Sequence, residues 1–308
     1  MSSAGRVPLA SVVVMTMDRP DALSRCLSSL AAQTLPRERF QVIVVDVSRQ
    51  PVERVVSEAA ETLEVVHHTG QNLGVAGNRN TGARLARGRV LVFLDDDCVA
   101  QPDWLELLTS AVGSNPGSLA GGSVAHDAPA TAYAAAGQAI TEAVDAFFNP
   151  PGAEPRFLPG LNFAVERQRY LDLGGCDGRF GRLAAEDRDF VDRWRQSGGR
   201  LLSVTEASVR HEHRGSLRGF VRQYFNYGRG AWRYHSLRRH RRTGKMSQDV
   251  LLHLRLPRYF HKPLRRLEPW MRVKVVALLS VWQLSNLAGF AWQCLRETAL
   301  ARGQASGA

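Results

Sequence analysis

Short apolar runs rich in valine alternate with stretches of helical spacing through the first two thirds of the chain. Residues 9–15, 40–46, 63–67 and 90–94 are such runs, and the β-branched, largely apolar run at 90–94 predicts a strand buried on both faces. Residues 52–62 and 81–86 read as helices. Leu23, Leu27 and Leu30 mark another that begins near Pro20, with Asp18 or Asp21 as its cap. The pattern continues with a helix at 102–112, a strand at 118–124, an alanine-rich stretch at 133–148 that reads as a helix or a mobile acceptor-side segment, a proline-rich loop at 150–159, a strand edge at 160–165 and a strand at 200–204. Strand and helix in alternation predict an α/β fold, a Rossmann-like, mostly parallel mixed sheet flanked by helices.

The run at 90–94 ends on Asp95, Asp96 and Asp97. Alternation along an extended chain sends Asp95 and Asp97 to one side and Asp96 to the other. Like charges at a strand end repel unless a cation lies between them or one is protonated. Hard oxygen ligands suit Mg2+ or Mn2+, which carboxylates hold together with substrate phosphates. Open sheets of this kind bind ligands beyond the carboxyl ends of their strands, where Asp46 also lies. An acidic turn capping the next helix would leave the same three letters, so position within the chain has to decide.

The 308 residues, 44% hydrophobic and 22% charged, describe a globular protein and exclude a disordered one. Net charge is +11, but residues 210–274 hold 18 Lys and Arg against Glu212, Asp249 and Glu268. The basic character therefore belongs to one segment. Four widely separated cysteines have no paired spacing for zinc or a disulfide framework, which fits a reduced, cytoplasmic setting. Residues 1–8 form a tail without the apolar core of a signal peptide.

The order strand-Thr16-x-x-Arg19-Pro20, strand-Asp46, Asn72-Leu-Gly-x-x-x-x-Arg79-Asn80-x-Gly82 and Leu94-Asp95-x-Asp97 resembles the nucleotide-sugar half of inverting family-two glycosyltransferases with the GT-A fold. Val47-Ser48 departs from the acid and Gly-Ser that such enzymes often carry after the second strand. The resemblance implies that Asp46 accepts hydrogen bonds from the donor base, with Thr16 and Arg19 lining the same pocket. Arg79 and Asn80 would approach the base or diphosphate, with Gly74, Gly77 and Gly82 letting the backbone come close. Asp95 would contact the ribose, Asp96 would belong to the donor site, and Asp97, with Asp95, would hold the metal. Asn162 would lie near the donor.

Farther on, Gly174-Gly-Cys-Asp177 and Glu186-Asp187 match that family's Gly-Gly-Phe-Asp and Glu-Asp pattern, with Cys176 in the aromatic position. Phe190, Val191 and Trp194 would be the buried side of the helix that follows, and its macrodipole favours acids in the first turn. Inverting displacement needs a base opposite the leaving group. The resemblance implies Asp187 in that role, with Glu186 beside it to help bind the acceptor or to exchange roles. A histidine after the last strand is implied as a metal ligand, His211 in preference to His213.

From residue 217 arginines interleave with aromatics, and Phe220, Tyr224 and Tyr227 share a helical face expected to pack on the catalytic domain. Such a mix can bind nucleic acid, but no matching binding fold accompanies it, and anionic lipid headgroups are the stronger expectation for 217–295. Residues 270–295 read as a helix at a membrane interface or packed on its neighbour, because Gln283, Ser285, Asn286 and Gln293 interrupt a full span; Trp270, Trp282 and Trp292 would anchor it. The expected organisation is a tail (1–8), a nucleotide-sugar-binding catalytic domain (9–216) and a basic helical region (217–308). The expected function is divalent-metal-dependent transfer of a sugar, with inversion, from a nucleoside diphosphate to an acceptor hydroxyl or amine, in the cytoplasm or at the inner face of the cell membrane. A nucleotidyltransferase of similar sheet, or a non-catalytic nucleotide- or membrane-binding protein, are the alternatives.

Overall fold

The structure is a computed structural model that describes residues 7–50, 52–125, 129, 131–211, 215–244 and 246–305. His213 lies outside the described residues. In chain order the elements are β1 (Ala10–Thr16), α1 (Pro20–Ala31), β2 (Phe40–Asp46), α2 (Glu53–Ala60), β3 (Val65–Thr69), α3 (Gly74–Leu85), β4 (Val90–Asp95), β5 (Cys98–Ala100) and α4 (Trp104–Ser114). Then follow β6 (Ser118–Ala125), α5 (Ala132–Phe148), β7 (Asn162–Glu166), α6 (Arg167–Asp172), α7 (Glu186–Gln196), β8 (Arg200–His211), α8 (Leu217–Arg241), α9 (Ser247–Arg265) and α10 (Pro269–Ala305).

The chain divides into two compact units. The first comprises residues 1–127, 154–182 and 187–212; the second comprises 128–153, 183–186 and 213–308.

The first unit is built on a mixed sheet of order β3-β2-β1-β4-β7-β6-β8-β5. β3, β2, β1 and β4 run parallel, as does β6 with β8, while β7 is antiparallel to β4 and to β6, and β5 is antiparallel to β8. The segment expected as a strand edge at 160–165 is therefore an inner strand. The side chains of β1, β2 and β4 alternate between two cores. Val12, Val14, Val42, Val44, Val92 and Leu94 meet Leu23, Leu27 and Leu30 of α1 and Trp104 of α4. On the other face Phe93 and Phe163 stand 5.0 Å apart by ring centroid, and Phe163 and Tyr170 both pack on Phe190. Each sealed side chain of this size contributes about 1.5–3 kcal/mol.

Several local expectations change in the folded chain. Neither Asp18 nor Asp21 caps α1: Arg19 holds the N-cap position without a side-chain cap bond. Asp18 instead adopts φ 56° and its carboxylate accepts from the backbone N–H of Arg49 at 2.8 Å, fastening the loop after β1 to the loop after β2. α3 begins at Gly74 rather than at 81, because the Asn72 side chain accepts from Gly74 N at 2.9 Å and Gly74 turns the chain at φ 78°. β8 continues to His211 where only 200–204 read as strand, since pairing with β5 carries it on.

The second unit is helical. α8 and α10 run parallel, with Tyr224 on Trp282, Trp232 on Phe290 and Arg233 paired to Glu297. Gly228 and Gly289 bring the two backbones together: a Cβ at either would overlap a carbonyl of the other helix, that of Asn286 or of Phe225. The expected aromatic face of α8 packs inside this unit, Phe220 on Tyr133 of α5 and Tyr224 on α10, while Tyr227 stays 46% exposed. Arginines of α8 also make contacts inside the unit. Arg229 donates to Gln293, and Arg238 lies over the Tyr234 ring. His235 and Asp249 join α8 to α9 at 2.6 Å.

Candidate active site

Strand register sets the first part of the site. Thr16 pairs with Asp46 and Met15 with Asp95, so the carboxyl ends of β1, β2 and β4 stand side by side. The chain then turns at Asp96-Asp97 before β5, which breaks the alternation expected of three extended aspartates. Asp96 is buried and accepts from the Thr16 hydroxyl at 2.8 Å. A single Arg19 nitrogen reaches both Asp96 (3.2 Å) and Asp97 (2.7 Å). Asp97 and Asp96 therefore share a guanidinium instead of pointing apart.

The second part comes from a distant segment. β5 pairs with β8 so that Cys98 faces His211, and this register brings His211 Nε2 to 3.1 Å from Asp97 Oδ1. The ligand atoms of Asp97, Cys98 and His211 all lie within 4.8 Å of one another. Burial and the neighbouring aspartates push the Cys98 thiol well above its ordinary range, which keeps it protonated. A carboxylate with an imidazole suits Mn2+ or Mg2+, so the residues present fit such an ion. Asp95, expected as a further ligand, is not in that cluster and lies 3.5 Å from the buried guanidinium of Arg79.

Electrostatics separate the three aspartates. Burial raises Asp95; Arg79 opposes this, while Asp97 and Asp187 add to it. Burial also dominates at Asp96, which is pushed up to about 6 against the pull of Arg19. At Asp97 burial acts upward, but the hydrogen bond and charge of His211, with Arg19, hold the carboxyl below its ordinary value. His211 is raised in turn, because Asp97 outweighs the opposing effect of burial. Asp97 is thus the carboxylate held ionised, as a cation ligand must be.

The third part is Asp187 in the first turn of α7. Its Oδ2 accepts from Gly160 N at 3.0 Å and its Oδ1 from Arg188 N at 2.7 Å. Its charge is felt at Asp95, which brings the expected base and the aspartate turn into one electrostatic neighbourhood. Glu186, the first residue of α7, is buried. Arg193 pairs with buried Asp189 within α7 at 2.8 Å and donates to Leu173 O at 2.9 Å, which ties the helix to the glycine turn that precedes it.

Two expected donor residues face inward. Asn162 is sealed within the sheet, accepting from Trp104 Nε1 at 2.8 Å and donating to Ser123 O and Ala207 O. Asn80 accepts from Tyr170 OH (2.7 Å) and Cys176 N and donates to Cys176 O, so its amide secures the Gly-Gly-Cys-Asp turn rather than a nucleotide. The glycines of α3 likewise admit protein: a Cβ at Gly74 would overlap Gly181, at Gly77 the Leu73 side chain and at Gly82 that of Val13. Asp46 is buried, accepting from Ser48 N at 2.9 Å and lying 3.3 Å from His67 Nε2. His67 had no signal of its own in sequence; only the parallel register of β3 on β2 brings it there.

Comparison with known proteins agrees with this architecture. Residues 11–178 match Glycosyl transferase family 2. The chain is similar to the glucosyl-dolichyl phosphate glucuronosyltransferase of Haloferax volcanii, 32% identical over 215 residues that cover 66% of this chain and 68% of the relative. It is also similar to the validoxylamine A glucosyltransferase of Streptomyces hygroscopicus subsp. jinggangensis, 38% identical over 112 residues, 35% of this chain and 26% of that one. Its fold is like that of the mannosyltransferase PcManGT from Pyrobaculum calidifontis in complex with GDP-Man and Mn2+, with a TM-score of 0.59 at 19% identity over 96% of this chain and 81% of that chain. The expected GT-A architecture is observed, and with it the enzyme class, a glycosyltransferase. The chain belongs to glycosyl transferase family 2.

Proposed function

We propose that the chain moves a sugar with inversion from a nucleoside-diphosphate donor to an acceptor hydroxyl or amine, with Asp187 as the base and Asp97 and His211 as the protein ligands of Mn2+ or Mg2+. The observation that carries this assignment is the 3.1 Å approach of His211 to Asp97, with the charge of Asp187 felt at neighbouring Asp95. A cation held by Asp97 and His211 would supply Lewis acidity toward the departing diphosphate. Arg79 and Asp95 then flank the donor, and Thr16 and Arg19 fix the aspartate turn. Asp46 and His67 border the base end. Asp187, acceptor-only when ionised, takes the proton of the attacking group, and Glu186 assists at the acceptor. Residues 9–216 are assigned to catalysis.

For the helical region, 217–295, we infer contact with an anionic membrane surface, at the inner face of the cell membrane. The basic excess of 210–274 supports this, as does one helix, residues 269–300, long and apolar enough to cross a membrane by length and composition. The lipid-phosphate substrate for which the H. volcanii relative is named favours a lipid-borne acceptor.

The test is product analysis and donor binding. Asp187→Asn should lower transfer by roughly 10²–10⁴-fold while the donor still binds. Asp97→Ala should abolish manganese-dependent donor binding. Release of pyrophosphate, or wild-type transfer by either variant, would remove the assignment.

A further inference from the structure

α10 exposes an aliphatic stripe and buries, beside Val275, Leu279 and Trp282, the polar Ser285 and Gln293. Val273, Ala277, Ser280, Leu284, Leu287, Ala291 and Leu295 follow one another at intervals of three and four, so they share a face. All of them are exposed, Leu284 at 68% and Leu295 at 69%. The opposite face is buried, and in its second half it carries Ser285 and Gln293. Gln293 accepts from Arg229 and donates to Glu297 inside the unit. Polar groups facing protein and aliphatic groups facing out is the arrangement hydrocarbon requires.

The stripe from Trp270 to Leu295 is about 38 Å long at helical rise. Trp270 and Trp292, 59% and 57% exposed, stand near its two ends, and Lys274 lies over the Trp270 ring. Trp282, expected as a third anchor, is buried between Tyr224 and Phe260. Arg255, Arg258, Lys262 and Arg265 of α9 and the adjoining Arg266 are exposed in the same unit, a cationic surface that attracts acidic headgroups.

α10 is not free to cross a bilayer by itself. It is joined along its length to α8, from Tyr224 on Trp282, through the reciprocal glycine contacts, to Arg233 on Glu297. The two helices run parallel, so sinking α10 across the hydrocarbon would carry Arg222, Arg229 and Arg233 in with it. Arginine is among the residues least tolerated at that depth.

Resting on the membrane contact inferred above, we propose that α10 lies along the interface of an anionic bilayer rather than through it, with the Val273–Leu295 stripe against the acyl chains. Cys294→Ser protein carrying a single added cysteine at 273, 284 or 295 is labelled with an environment-sensitive fluorophore and mixed with phosphatidylcholine vesicles containing phosphatidylglycerol, or with phosphatidylcholine alone. The labels are quenched with lipids brominated at different depths. The expected result is binding on the order of tenfold tighter to the acidic vesicles, one shallow depth for all three positions, and loss of binding in Leu284→Glu/Leu287→Glu, whose exposed positions leave the unfolding midpoint in place. A label at 284 far deeper than those at 273 and 295 means a spanning helix and overturns the in-plane arrangement alone. Failure to bind either vesicle overturns the membrane contact on which it rests.

Discussion

Leu30 of α1 is fully sealed from solvent, whereas Leu284 and Leu287 of α10 stand 68% and 66% exposed, and the contrast runs through the two units. In the sheet unit apolar residues fill both faces of the strands, and buried polar groups such as Asn162, Asp46 and Asp96 each have partners. In the helical unit Gln293 and His235 are bonded inside while leucines line the outside. Under the membrane contact proposed above, the same amino-acid chemistry would serve two surroundings, the interior of the sheet unit and a less polar medium along one face of α10.

Three measurements would break or sharpen that contrast. The largest effect separates identical substitutions. Leu30→Ala should lower unfolding free energy by about 2–5 kcal/mol, and Leu284→Ala by no more than about 0.5 kcal/mol, in denaturant titrations without lipid. Equal losses would mean that α10 is covered by protein in solution. Next, Tyr170→Phe should cost about 0.5–1.5 kcal/mol, because it removes the hydroxyl that donates to Asn80 Oδ1 and accepts from Cys176 N and leaves those two groups bonded to each other alone. An unchanged midpoint would mean that this polar network, unlike the apolar core, contributes nothing.

The smallest effect is a pH dependence. Burial alone would raise the Asp177 carboxyl, but hydrogen bonds from Arg179 outweigh it and hold the group below its ordinary value of 3.8. The folded form therefore binds that proton more weakly than the unfolded form. Its contribution is fully present above pH 3.8 and is lost as pH falls through the folded value. Asp177→Asn should be less stable than the parent by under about 1 kcal/mol at neutral pH, with the gap closing in acid. A gap that widens in acid would reverse the assignment.

How far the sequence reveals this molecule depends on whether a feature is local. β2 is observed at its expected residues, because a largely apolar, valine-rich run ending in an acid needs no distant partner to be recognised. The neighbourhood of Asp97 and His211 was legible from motif order. The 3.1 Å contact itself was not, since it depends on β5 pairing with β8 across more than a hundred residues. Asn80 and Asn162 carry the right letters for a donor site yet face inward, and side-chain direction follows from the packing of Tyr170 and Trp104 against them. His67 and the inner position of β7 were hidden for the same reason: strand order is a property of the assembled sheet.

The division of the chain has a practical outcome for anyone trimming it. Helix α5 precedes β7 in sequence but belongs with α8, α9 and α10, with Tyr133 on Phe220 and Phe147 on Tyr259. A fragment ending at residue 216 keeps α5 while discarding the helices that cover those two aromatics. Excision at that point yields a sticky, aggregation-prone product instead of a minimal enzyme, and a shorter soluble version has to replace the α5 aromatics as well.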